Sequence, residues 1–256
     1  MTQNILLCEG TPEGIFSAVY YAYEKKMNPN HTRVQLENIN NYELFAEYIQ
    51  VPTDLSHAVK VNRTIGKRFG AISYSYIWHA MYSREQNRGN AVYHTIARGL
   101  SNAYKGELIN CLQDPYILEI NKMHQNVWCE AHHYMGFVRF TELKNSILYS
   151  EIEPKNHVLP LIGEHFADRL PNENFLMKDK GRNLYIIHEA GKEIVFHQED
   201  GKGVFITEAM YSEEEKEIQK LFQIFHKTIG IEERKNLELQ KQLLPLRFRE
   251  NMVEFC

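Results

Sequence analysis

Cysteine is scarce and scattered. The four in the chain, Cys8, Cys111, Cys129 and Cys256, form no C-x-x-C pair, so the sequence points to neither a disulfide framework nor a zinc ribbon and fits a reducing cytoplasm. Long apolar runs are missing too. Nowhere do about 18 apolar residues follow one another, and the opening MTQNILLCEG lacks the basic and apolar stretches of a secretion signal. A soluble, unexported, cytoplasmic protein with no membrane span is expected. The sequence also has no P-loop, no G-x-G-x-x-G, no G-x-S-x-G and no radical-SAM-type cysteine triplet. The common nucleotide, serine-hydrolase and iron-sulfur classes therefore lose their support, and no cofactor is expected.

What is present is an ordinary globular balance, 43% hydrophobic and 24% charged over 256 residues, which allows a sizeable buried core. The net charge of −4 argues against a protein that binds polyanions over its whole surface. Its distribution is uneven. Residues 60 to 105 hold eight Lys and Arg (Lys60, Arg63, Lys67, Arg68, Arg84, Arg88, Arg98 and Lys105) against the single acid Glu85, whereas the sequence on either side is net acidic. The block also carries Phe69, Tyr74, Tyr76, Trp78, Tyr82, Tyr93 and Tyr104. Cations for phosphates and flat rings for bases are what a groove tracking a nucleic-acid strand requires. The alternative is that the rings belong to the core and the cations to a solvated helix face.

The pattern along the chain predicts an α+β protein, with a helix-rich N-terminal half packed on a C-terminal half of short, mostly antiparallel strands and terminal helices. NILLCEG reads as a strand. The helix after it is capped by Thr11, with Pro12 at its first position. PTDLSHAVKVNRTIGKRF looks helical from Thr53 and is interrupted at Gly70; further helices follow through Val92, Ile96 and Leu100. Asp114 and Pro115 open a helix whose stripe Ile117, Ile120, His124, Val127, Ala131 and Tyr134 ends near Gly136. FVRF and SILYSEIE then read as a hairpin around TELKN. NHVLPLIGEHFADRL reads as a helix capped by Asn156, and FLMKD, NLYIIH, KEIVFH and GVFIT read as short strands. Ser212 and Glu215 form a capping box before a last amphipathic helix. No repeat or long linker separates domains, so 1–256 is read as one domain, with a subdivision near residue 130 left open.

GFVRF coincides with the end of the RNA-binding motif K/R-G-F/Y-G/A-F-V-x-F/Y, but HYM at a helix end stands where its first half should be. The match is accidental. Strand alternation would put Phe137 and Arg139 on one face, leaving Arg139 as either an ion-pair partner or a fixed anion-binding group. His157, His165 and Arg169 recur at four-residue spacings on the next helix and could serve acid-base chemistry, hold an anion, or be satisfied by carboxylates. Glu153, Asp179 and Arg182 are the polar groups expected to converge on that edge. Cys129, His132, His133 and His124 offer soft ligands, yet His124 falls on the apolar stripe and His133 points away from Cys129, so no metal site is assigned.

Several segments together, EGTPEGIFSAVYYAYEKK, EAHHYMGFVRF, EIEPKNHVLPLIGEHFADRL, DKGR and IGIEERKNLELQKQLLPLRFRENMVEF, resemble a bacterial family of DNA metabolism or DNA repair proteins that contain a domain of unknown function. The resemblance implies partnership with a radical SAM protein acting on DNA, since similar domains accompany such proteins and uracil-DNA-glycosylase-like domains. It implies no established catalytic residue.

Three readings follow. The first is an accessory protein that binds DNA through Arg63, Lys67, Arg68, Arg84, Arg88 and Arg98 and acts with the radical SAM partner. Another is an interaction subunit for that partner without DNA contact. In the third, an enzyme acting on a nucleobase or nucleotide binds phosphate with Arg139, Arg169 and Arg182 and uses Glu153, His165 or Asp179 as acid or base. Whether the chain is an enzyme stays open.

Overall fold

The structure, a computed structural model, describes residues 3–37, 43–101, 107–199, 206–249 and 252–255. The chain is α+β and divides into two compact units, Met1–Cys129 and Glu130–Cys256. Among the described residues no helix is long and apolar enough to cross a membrane.

The first unit is built on three parallel strands, β1 (Gln3–Cys8), β2 (Thr32–Leu36) and β3 (Ala46–Gln50), with β1 in the centre. Leu6 lies opposite Val34 on one side and Ile49 on the other. Parallel strands need a crossover, and α1 (Pro12–Glu24) supplies the one between β1 and β2. Thr11 accepts the Gly14 amide at 3.1 Å, as its place before Pro12 predicts.

Helix α2 (Leu55–Arg68) is capped by Asp54, whose carboxylate takes the Ser56 and His57 amides. A hydrogen bond from the Ser56 side chain, and then that from the His57 amide, hold the Asp54 carboxyl below its usual range. Ser17 bonds both the carbonyl and the amide of Asp54, which fixes the start of α2 against α1.

At Gly70 the backbone turns left-handed, φ +75°, a conformation that favours glycine. There the chain leaves α2 and enters α3 (Gly70–Met81). Helix α4 (Arg88–Leu100) follows, then α5 (Pro115–Phe137), whose first turns carry the Asp114 cap. Ile5, Leu6, Ile15, Phe16, Ile65, Ile77, Ile96, Ile117 and Ile120 are fully or almost fully buried.

The second unit holds a five-stranded sheet in chain order, β4 (Thr141–Glu142), β5 (Leu148–Ile152), β6 (Phe175–Asp179), β7 (Leu184–His188) and β8 (Val195–Gln198). All neighbours are antiparallel except β5 and β6, which run parallel and are linked by α6 (Leu159–Arg169). Helices α7 (Glu213–Thr228) and α8 (Leu237–Leu243) follow. Of the expected capping box only one half forms: the Ser212 hydroxyl accepts the Glu215 amide at 3.0 Å, while the Ser212 amide donates to the Glu142 carbonyl and the Glu215 carboxylate accepts the Glu142 amide.

Three expectations need correcting. FVRF is not a strand: α5 continues through Phe137, and the hairpin strand is Thr141–Glu142, so the alternation argument for Arg139 does not apply. Tertiary packing decides this, because Tyr134 and Phe137 rest on Phe248 with ring centroids 4.9 and 5.6 Å away. Asn156 does not cap α6; Val158 stands at that position, and Asn156 is buried against a carboxylate. His157 lies before the helix, so the four-residue edge with His165 and Arg169 is not formed. Strands β2 and β3 were not expected at all. Of GVFIT, residues 203–205 lie outside the described residues, as do Tyr104 and Lys105.

Candidate nucleic-acid interface

Helix α2 turns Ala58, Val61 and Ile65 into the core and leaves Lys60, Arg63, Lys67 and Arg68 exposed. Spacings of three and four place these cations along one side of the helix. No acidic residue occurs from Leu55 to Arg84, so nothing on α2 itself neutralises the strip.

Beside it lies a groove of about 280 Å³ between α1, α2 and α4. Its floor is apolar, formed by Val19, Val61, Ile65, Ile96 and Leu100, and its rim carries Tyr20, Tyr23, Lys60, Thr64 and Arg68. A second hollow of about 260 Å³ shares Val19, Tyr23, Ile96 and Leu100 and extends the first toward Met27 and Pro29. Tyr20 is held in place: its ring stacks on His57 at 4.0 Å and 15°, and Lys60 Nζ lies 5.0 Å from its centroid. Tyr23 is 74% exposed.

The rest of the basic block is arranged differently. Arg84 is exposed in the segment before α4. Arg88 donates to the carbonyls of Gly10 at 2.9 Å and Glu85 at 3.1 Å, bracing the β1 to α1 turn. Arg98 pairs with the buried carboxylate of Asp114 and lies over the Tyr116 ring. Thus Arg63, Lys67 and Arg68 share the strip, while Arg88 and Arg98 serve the fold.

The block's rings also turn inward. Phe69 and Tyr93 are buried. Tyr74 and Trp78 both donate to the Asn62 side chain, and Trp78 meets Phe16 edge-on at 5.7 Å. The rings that open beside the cations, Tyr20 and Tyr23, belong to α1. Their three-residue spacing signals a shared helix side, but nothing in the sequence announces that this side borders α2.

Tyr76 stacks on His124 at 3.6 Å. His79 and His124 face each other with Nδ1 atoms 2.8 Å apart, so one donates and the other accepts. Burial, and then the neighbouring His124, push His79 down to about 4. His94 is also pushed down to about 4, by burial and then by Arg98 and Arg33.

In the second unit the candidate acids and arginines are bonded mainly to the protein itself. Glu130, 3% exposed, accepts the Lys155 amide at 3.0 Å, the Asn156 amide at 2.8 Å, Asn156 Nδ2 at 2.7 Å and Arg247 Nη1 at 2.9 Å. Asp179 is fully buried and accepts the Arg182 amide at 3.1 Å and Nη1 at 3.0 Å; burial raises its carboxyl against the opposing pull of Arg182. The Arg182 guanidinium also donates to the carbonyls of Pro154 and Lys155. The turn after β5 is therefore gripped at its amides by Glu130 and at its carbonyls by Arg182.

Arg139 pairs with Glu254 at 2.8 Å. Glu153 and Arg169 are exposed, and His165 meets Phe166 edge-on. The hollow near Arg139, Glu153 and Arg247 measures about 20 Å³, room for roughly one water. Among the described residues no group of three or more His, Cys, Asp or Glu could hold a metal ion.

The profile of a domain of unknown function, DUF4130, matches residues 86–254. The chain belongs to this family. The DUF4130 match takes in α4, α5 and the whole gripped turn, whereas α1 and α2, with the cationic strip and both rim tyrosines, precede it. No curated protein matches the chain. One solved structure, described as the DHH domain of a member of a family of ribosomal proteins, is 9% identical over 74% of each chain with a TM-score of 0.32. A likeness at that level carries no argument about fold or activity.

Proposed function

We propose that this DUF4130 protein is a nucleic-acid-binding accessory factor in DNA repair or metabolism that acts with a radical SAM partner. The observation that carries the reading is the α2 strip of Lys60, Arg63, Lys67 and Arg68, exposed on one side of a helix that has no acidic residue. Cations placed this way bind a phosphate backbone by releasing its condensed counterions. The resemblance to DNA metabolism proteins supports the choice of DNA over other polyanions. An accessory role is favoured over catalysis because Asp179, Arg182 and Arg139, which a nucleotide-converting enzyme would need to keep open, are spent on internal bonds.

The deciding experiment is anisotropy of labelled single-stranded and duplex DNA over a salt series, with Arg63→Glu/Lys67→Glu alongside. Salt-sensitive binding that the double variant loses supports the reading. Absence of binding to either form at low salt ends it.

The partner-docking component has its own support in α7 and its C-cap, where Ile218, Leu221, Phe222, Phe225 and the capping Ile229 form one exposed apolar stripe. Monomeric proteins rarely leave large contiguous apolar patches uncovered. A complex with the radical SAM protein that forms without DNA and is lost on changing this stripe would favour an interaction subunit alone.

A further inference from the structure

We infer that the groove between α1, α2 and α4 receives a nucleobase that is out of the stack, so that the protein prefers single strands or locally opened duplex. This rests on the reading of the α2 strip as a phosphate-binding surface. It adds what lies beside that surface and what it would recognise.

The groove combines three properties that a base joined to a charged backbone requires. Its floor of Val19, Val61, Ile65, Ile96 and Leu100 is apolar and suits the flat face of a ring. The rim offers Tyr20, already immobilised against His57, and Tyr23, three residues further along α1 and largely exposed. Ordering Tyr20 on binding would therefore cost little entropy. The opposite rim is α2, where Lys60 and Arg68 line the groove and Arg63 and Lys67 continue the positive side outward. A backbone lying on α2 thus has its sugars and bases next to the opening.

Size limits the occupant. A volume of about 280 Å³ is at the bottom of the range of small-ligand sites, roughly 300–1,000 Å³, enough for a single ring system. The adjoining hollow of about 260 Å³ could take a neighbouring group but would not lodge an intact base pair. Stacked, paired bases cannot enter, which is the source of the strand preference.

The test compares oligothymidylate with an abasic oligomer of the same length and charge, using wild type, Tyr23→Ala and Thr64→Trp in the full chain. Tyr23 is an exposed rim residue, and Thr64→Trp partly fills the opening from a position already exposed, so thermal melting serves to confirm that both variants fold. The wild type should bind the base-bearing oligomer about tenfold more tightly than the abasic one, as expected from one stacked base. In both variants that ratio should collapse toward one. 2-Aminopurine placed in the strand should be quenched by wild type and not by Thr64→Trp.

Equal affinity of wild type for base-bearing and abasic strands would overturn the inference while leaving the phosphate surface intact. The same indifference to bases is expected if the groove instead accepts an apolar side chain of an acidic peptide. Failure of both oligomers to bind would overturn the groove and the α2 reading together.

Discussion

Glu130 and Arg247 are 117 positions apart in the chain, yet they are bonded at 2.9 Å through a carboxylate whose residue is only 3% exposed. The same carboxylate closes the turn after β5, so one side chain joins helix, turn and C-terminal segment within the second unit. Glu130→Ala should therefore destabilise the protein by about 3–5 kcal/mol, the range for removing one member of a buried pair. Arg247→Ala should cost less, because Glu130 keeps three donors. Urea unfolding of the two variants checks the order, and equal costs would contradict it.

Charge removal on the two sides of the basic block should separate binding from stability. Arg63→Ala should weaken DNA binding with little change in melting, since the side chain is exposed. Arg98→Ala should lower stability, because Asp114 would remain buried without its guanidinium, and should leave the salt slope of binding unchanged.

Four phosphate contacts on a single strand imply a slope of log affinity against log salt of about −3, close to −0.7 for each contact. Raising salt from about 50 to about 200 mM should then weaken binding on the order of 50-fold. A flat salt response would show that α2 is not a phosphate surface.

His79 and His94 make stability depend on mild acid. Both are held neutral in the fold with values near 4, whereas an unfolded histidine protonates near 6.5. Between these values the unfolded chain binds more protons, so stability is full above about pH 6.5 and declines as pH falls toward 4. His94→Phe, which preserves a ring on Tyr116, should flatten part of that decline in a melting series.

The α7 stripe should be separable from the fold. Leu221→Glu/Phe225→Glu replaces two side chains more than half exposed, and changes at such positions usually stay within about 0.5 kcal/mol. Size-exclusion with the proposed radical SAM partner should show no complex for this variant, without loss of secondary structure. A retained complex would move the docking surface elsewhere.

Local signals in the sequence were reliable where the partners are close along the chain. Thr11 with Pro12, Ser212 as the α7 cap, the α5 stripe and the β6 to β8 runs all formed as their spacing implies. Distance along the chain hid the rest. Strands β2 and β3 acquire their roles only by pairing with β1, and FVRF lost its strand character to packing on Phe248. The arginines were legible as charges but not as partners, for Arg98 finds Asp114 sixteen positions on and Arg139 finds Glu254 at a separation of 115. Of the candidate interface, composition disclosed the α2 strip, while the α1 wall of the groove depended on which helix lies beside it.

The central place of β1 has a consequence for anyone dividing the chain. Gly89 near the start of α4 approaches Val34 and Leu36 of β2 so closely that an added Cβ would sit 3.2 Å from their side chains, and β2 is itself held by β1. A fragment cut at residue 86 would keep the matched segment yet strip α4 of the sheet it rests on. The boundary drawn by sequence similarity is therefore not a boundary of cooperative folding, and such a fragment would start with a bared hydrophobic flank.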